Sequence, residues 1–350
     1  MYKNKERTDK IITYGIVVLG FAIISLMNLL DLSSRHLQSM LVPMCVNVIL
    51  AISLNLVIGF LGDLSLGHAG FMSIGAYTGC LFAIATEKLL PTLIRFPLAM
   101  IVGGLAASVA GIIIGIPVLK LKGDYLAIVT LAFGEIIRSV IINLDFTGGP
   151  SGLKHTPQNA NFTIGFVVVI ITMFIIINLA NSKHGRAITS IRDNRIAAES
   201  CGININRFKL LTFVIAAFFA GVAGVMYGHN LSILTAGDFD YNKSIEILVI
   251  VVLGGMGNIR GSIISAIIIT VLPEALRFLS DYRMLIYAIV LITMMILNNN
   301  QRFITFKNQY SFSNIYKVIT LKKQIKKEKK LWAIEKWCLF QAGQLCHLQM

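Results

Sequence analysis

The side chains best placed to do chemistry in this sequence are charges set inside long apolar runs. Glu135 and Arg138 stand three residues apart, as do Glu274 and Arg277 just after Pro273, so each pair shares a helix face. A charge at the centre of a membrane helix costs roughly 2.5–3.5 kcal/mol on insertion scales, so such groups turn toward protein or water. Two readings follow: a path that touches a charged or zwitterionic solute, or internal ion pairs that hold a bundle together. Asp63 and His68 bracket the start of Leu64-Ser65-Leu66-Gly67-His68-Ala69-Gly70-Phe71. There the imidazole is either a proton relay or solute contact, or a hydrogen-bonded packing element. His68, Glu135, Arg138 and Glu274 are the candidate translocation-path residues.

Other reactive constellations are missing from the sequence. Thr147-Gly148-Gly149-Pro150-Ser151-Gly152-Leu153 and Gly254-Gly255-Met256-Gly257-Asn258 are glycine-rich, but neither carries the lysine and following Ser/Thr of a phosphate-binding loop. Any ATP that powers the protein is therefore expected on another subunit, and no cofactor on this chain. No nucleophile elbow or H-E-x-x-H motif occurs, so nothing asks for an enzyme. Cys45, Cys80, Cys201, Cys338 and Cys346 show no C-x-x-C spacing, and neither a metal site nor a disulfide framework is expected.

The most informative polar stretch runs from Gly185 to Gly202. On a helix, Ile188, Ile191 and Ala198 fall within about 80° of arc with Arg195 among them, and Gly202 is a natural stop. A short helix with a small apolar patch rimmed by charge suits docking into a groove on a partner protein. An interfacial linker helix is the other reading.

These residues are positioned by apolar blocks of about 18–25 residues, the length that crosses a hydrocarbon core of about 30 Å. The 350-residue chain is 56% hydrophobic and only 14% charged, with a mean hydropathy of +0.76. Soluble domains carry about 25% charged residues, so the expectation is an all-α integral membrane protein, a bundle of about ten transmembrane helices with some broken or re-entrant segments. Spans are expected near 11–30, 40–61, 65–86, 97–119, 125–142, 162–180, 210–233, 244–256, 261–279 and 284–297. Of these, 244–256 is too short to cross and 65–86 follows its neighbour almost directly. Such segments are tolerated only where they are buried in protein or line a water-filled cavity.

The net charge of +14 could suggest nucleic acid, but 20 of the 31 basic residues fall in 1–10, 181–209 and 298–350. That is the positive-inside pattern of a membrane protein and excludes a nucleic-acid-binding face. Residues 1–10 then form a cytoplasmic N-terminus, 11–297 the membrane domain with a cytoplasmic loop at 181–209, and 298–350 a basic cytoplasmic tail of unknown role. This tail is either a true extension or the product of a shifted reading frame, and its lysines suit an anionic membrane surface or plain solvation. Because lipid supplies no hydrophobic drive between helices, close packing needs small residues every fourth position. Three such ladders occur: Gly75, Gly79, Ala83; Gly103, Ala107, Gly111, Gly115; and Ala220, Gly224, Gly228.

The 185–202 loop resembles the EAA loop of ABC importer permeases, although Ala197-Ala198-Glu199 followed by Gly202 replaces the usual order. More broadly, Leu64 to Tyr77, Lys122 to Arg138, Thr147 to Leu153, Gly185 to Gly224 and Leu253 to Ala266 together resemble the branched-chain amino acid permease family, in particular its LivM-type subunit. The resemblance implies a multi-pass protein of the bacterial plasma (inner) membrane with both termini cytoplasmic. It also implies two ABC ATPase subunits that bind the ATP, a second LivH-like permease subunit, and an extracytoplasmic binding protein delivering leucine, isoleucine or valine. In that setting Arg186, Ile191, Arg195, Ala198, Glu199 and Gly202 are the candidate ATPase-coupling residues. Urea or short amides carried by a permease of the same family, and an ion-coupled secondary transporter using the buried charges, are the alternatives.

Overall fold

The computed structural model describes residues 35–275 except Lys122, with Gly15, Ala288, Ile289, Ile292 and Thr293 besides; side chains are not described at 35–38, 274 and 275. Helix α1 spans Arg35–Asn55 and continues as one π turn, Leu56–Leu61, which Gly62 ends in the left-handed conformation at φ 83°. Then come α2 (His68–Ala85), α3 (Thr92–Val118), α4 (Asp124–Asn143) and α5 (Phe162–Asn181). Two short helices follow, α6 (Lys183–Asp193) and α7 (Arg195–Ser200), and after them α8 (Ile205–Gly228), α9 (Tyr241–Gly254) and α10 (Ile259–Ala275). Ala288–Met350 is a separate unit, in which the Thr293 hydroxyl donates to the Ile289 carbonyl at 2.8 Å.

Among the described residues, six segments are long and apolar enough to cross a membrane: Ser39–Leu61, α2, α3, α4, α5 and α8. The expected spans at 11–30 and 284–297 lie almost wholly outside the described residues. The stretch expected at 244–256 is α9, whose 14 residues reach only about 21 Å at the helical rise of 1.5 Å per residue. Among the described residues the architecture is all-α apart from a two-residue ladder. In it β1 (Leu153–Lys154) pairs antiparallel with β2 (Ile233–Leu234), tying the α4–α5 loop to the α8–α9 loop. Nothing in the alternation of the sequence announced this ladder, because two residues carry no period.

The centre of the bundle is a three-helix contact between α2, α3 and α8, where the small-residue ladders meet one another. A Cβ added at Gly75 would stand 2.3 Å from the Gly221 Cα, and one at Gly224 would stand 2.0 Å from the Met72 carbonyl oxygen. One at Gly103 would reach the Gly75 carbonyl at 2.7 Å, and one at Gly111 the Ala217 Cβ at 2.9 Å. Gly75 and Gly79 meet Gly221 and Val225, so α2 and α8 run parallel, whereas the same two glycines meet Gly103 and Ala99, and Gly104 and Gly115 meet Phe218 and Leu210, so α3 runs antiparallel to both.

A second contact uses polar groups. Asn47 Nδ2 donates to Thr270 Oγ1 at 2.9 Å, and two turns further along α1 Asn55 Nδ2 donates to Ser262 Oγ at 3.0 Å. Both spacings are eight residues, so the two clasps fix α1 and α10 in one antiparallel register. At the far end of α1, the buried Lys209 ammonium pairs with the Asp63 carboxylate, joining the segment after the π turn to the first turns of α8.

Two outcomes are expected from these contacts. Gly224→Val forces α2 and α8 apart and costs about 3 kcal/mol or more by overpacking, read as a lower thermal midpoint in detergent. Under the same assay Ile264→Val, at an exposed site, changes little. Lys209→Met strands the Asp63 carboxylate and costs roughly 3 kcal/mol, whereas the double variant Lys209→Met with Asp63→Asn recovers most of it.

Candidate functional site

Three of the four sequence-derived path residues, His68, Glu135 and Arg138, have described side chains. Glu135 and Arg138 form the expected pair on α4, Arg138 Nε donating to Glu135 Oε2 at 2.9 Å with both side chains about one-third exposed (34% and 30%). They flank the crossing of α4 with α2, where a Cβ at Gly70 would stand 2.9 Å from the Gly134 Cα. The Thr130 hydroxyl on the same helix receives the Leu66 amide at 3.0 Å.

His68 opens α2 and is 3% exposed. Its Nε2 lies 2.8 Å from Ser53 Oγ, and the Ser53 hydroxyl gives its single proton to the Leu50 carbonyl at 2.9 Å. The imidazole thus takes part in a sealed contact between α1 and α2. The next amide, Ala69 N–H, donates to Ser244 Oγ on α9 at 3.2 Å, so the same corner also holds a third helix. Glu274 lies in the last turn of α10, and its side chain and Arg277 are outside the described residues. Among the described side chains, His68 is not brought into the Glu135–Arg138 pair.

Two polar groups inside the bundle escaped the sequence reading. Lys243 Nζ meets Glu246 Oε2 at 3.0 Å and also donates to Asn47 Oδ1 at 3.2 Å, so an ion pair on α9 faces the upper α1–α10 clasp. Its three-residue spacing matches the pairs singled out in the sequence. Lys243 stands just ahead of the span expected at 244–256, because the apolar run begins only after it. Arg95, in the first turn of α3, is 5% exposed, and its Nε has no hydrogen-bond partner. No sequence pattern distinguishes it from an arginine at a membrane surface.

The 181–209 segment folds differently from the single amphipathic helix expected. Ser182, Asn194 and Asn204 act as successive N-caps, accepting from the amides of Gly185, Ala197 and Arg207 at 3.2, 3.1 and 3.2 Å. Asn194 is extended at φ −156°, which splits the stretch into α6 and α7 and forms an elbow. The apolar stripe of Ile188, Ile191 and Ala198 turns into the chain's own core against Leu61 and Ile205. Ile191 and Ala198 are thus seated inside the chain and present no surface to a partner in this conformation. Arg186, Glu199 and Gly202 are exposed, Arg195 is half-buried, and Ile196, which sequence reasoning passed over, stands 79% exposed between them.

Against this geometry the comparisons with known proteins are consistent. Residues 36–297 match the family model of the branched-chain amino acid transport system permease component. The chain is 35% identical over 284 residues to the high-affinity branched-chain amino acid transport system permease protein LivM of Escherichia coli, covering 71% of this chain and 65% of that one. The LivM of Salmonella typhimurium is 35% identical over 285 residues with the same coverage. The ribose import permease protein RbsC of Haemophilus influenzae is 28% identical over 306 residues, covering 81% of this chain and 91% of that one. The chain thus spans about two-thirds of the length of the LivM relatives it matches. No solved structure matches. The buried charges, the glycine-packed helices and the elbow with its exposed rim thus sit in a chain that is a member of the branched-chain amino acid transport system permease component family.

Proposed function

We propose that the chain is a permease subunit of an ABC importer for leucine, isoleucine, valine or a closely related solute. The observation that carries this reading is the likeness to LivM across the helical bundle and the 181–209 segment alike. In this reading two ATPase subunits bind the ATP, a second permease chain completes the path, and an extracytoplasmic binding protein delivers the solute. Both termini and the α6–α7 elbow lie on the cytoplasmic side, in keeping with the basic residues at 1–10, 181–209 and 298–350.

The ATPase contact falls on the elbow: the exposed Ile196 of α7 is its apolar element, with Arg195 and Glu199 on the same short helix and the exposed Arg186 and Gly202 before and after it. A large apolar side chain left exposed on a polar segment suits contact with a partner protein. Glu135, Arg138 and Glu274 are the solute-path residues of this reading, and the buried His68, held by Ser53, is a fixed clasp between helices. Nucleotide-driven movement at the elbow rocks the bundle about the path in an alternating-access cycle.

The test is purification from the native membrane with identification of co-purifying chains, followed by uptake of labelled leucine, isoleucine and valine into liposomes, with ribose and urea as competitors. Stoichiometric ATPases and uptake displaced by the other branched-chain amino acids are expected. Ile196→Asp is expected to lower both ATPase retention and uptake by roughly tenfold or more while the chain still inserts, the loss usual for a central interface anchor. Uptake by the chain alone that collapses with an ionophore and ignores ATP would overturn the assignment in favour of ion-coupled transport.

A further inference from the structure

The end of α1 is fastened from several directions at once. In the π turn, the Gly59 carbonyl accepts a hydrogen bond from Arg192 Nη1 of α6 at 2.8 Å. The same glycine lies against the α9–α10 turn so closely that an added Cβ would stand 2.2 Å from the Gly257 nitrogen. Asn55 Oδ1 receives the Gly257 amide at 2.8 Å. The stem of Arg192 lies on Gly62, where a Cβ would meet its Cγ at 2.7 Å.

The chemistry of this joint is specific. The last carbonyls of a helix have no donors within it and carry the negative end of its dipole, so a cation there is favoured. A π turn inside an otherwise regular helix often marks a place where function needs an irregular backbone. The guanidinium divides its donors between two elements: Nε and Nη2 hold Asp193 Oδ1 at 3.0 and 2.9 Å, and Nη1 holds Gly59. Its planar fork is therefore fixed at the root by α6 while its tip grips α1. The apolar seat of Leu61 on Ile188 and Ile191 keeps the elbow close, but apolar contact gives no direction; the hydrogen bond does.

We propose that Arg192 is the positioning residue that carries movement of the α6–α7 elbow into the membrane bundle. A displaced elbow pulls on the Gly59 carbonyl, bends α1 within Leu56–Leu61 and, through Gly257, shifts the turn between α9 and α10. This rests on the importer reading, in which ATP-driven motion enters at the rim around Ile196; Arg192 acts behind that rim, between the partner contact and the path.

The experiment compares wild type, Arg192→Met and Arg192→Lys in the complete transporter in liposomes, measuring solute moved per ATP hydrolysed. Methionine keeps the apolar stem and removes every donor, so the ratio falls roughly tenfold, the scale of one charge-assisted hydrogen bond, while the ATPases stay bound and active. Lysine keeps the charge but cannot hold Asp193 and Gly59 together, so its ratio falls less, roughly threefold. Amide exchange on the variant chains in detergent quickens in 56–63 and 183–193 and stays unchanged in α2, α3 and α8. A wild-type ratio in either variant, or unchanged exchange in both segments, overturns the proposal. A wild-type chain that brings down no ATPase overturns the importer reading and this inference with it. That result is told apart from a failure of Arg192 alone because wild type fails too.

Discussion

Lipid tails are as apolar as leucine, so helices in a bilayer gain nothing by hiding apolar surface from one another. Everything that holds this chain together follows from that constraint. Its helices either approach until backbones touch or offer polar groups that lipid cannot satisfy. The α2–α3–α8 contact takes the first route, with Gly75, Gly103, Gly221 and Gly224 leaving room for carbonyl oxygens where other residues would place a side chain. The α1–α10 contact takes the second, with Asn47 and Asn55 spaced to meet Thr270 and Ser262. The two solutions differ in tolerance. A glycine contact rejects any larger residue, whereas a clasp rejects any residue that cannot both donate and accept.

The polar groups divide by position. Toward the end where α1 stops, Asp63, Lys209, Arg192 and Asn55 lock the π turn to α6, α8 and the α9–α10 turn. Two turns earlier in α1, Lys243 joins Glu246 beside Asn47, and Glu135 pairs with Arg138 on α4. A charged pair left one-third exposed is a different object from one sealed in the core: it is already compensated, yet it remains open to a competing partner. The sealed Asp63–Lys209 pair helps define how the helices sit, whereas the pair on α4 keeps about a third of each side chain exposed.

Much of this was legible in the sequence because it depends on local spacing. The small-residue ladders, the Glu135–Arg138 pair and most helix positions follow from periods of three and four residues. The direction in which an amphipathic helix faces does not. The stripe of Ile188, Ile191 and Ala198 looks the same whether it meets a partner or the chain's own Leu61 and Ile205. The break at Asn194 was hidden because asparagine serves equally as a cap or a surface residue, and only the Ala197 amide reveals its role. Pairings across long stretches, such as Asp63 with Lys209 or Gly59 with Gly257, belong to the fold as a whole, and no window of sequence contains them. The π turn is equally silent, since Leu56-Val57-Ile58-Gly59-Phe60-Leu61 would read as ordinary helix anywhere else.

The unequal lengths of the helices bear on the surrounding bilayer. With 27 residues, α3 reaches about 40 Å, well beyond a hydrocarbon core of about 30 Å, while α9 with its 14 residues reaches about 21 Å. Beside α3, with its outward Ile101, Leu105, Val109 and Ile113, the membrane must thicken or the helix must lean. Within the chain α9 packs against α1 and α10, so protein meets much of its short span. The demand on membrane thickness is therefore uneven: it falls on the lipids beside α3, at a cost of fractions of a kcal/mol per Å of mismatch.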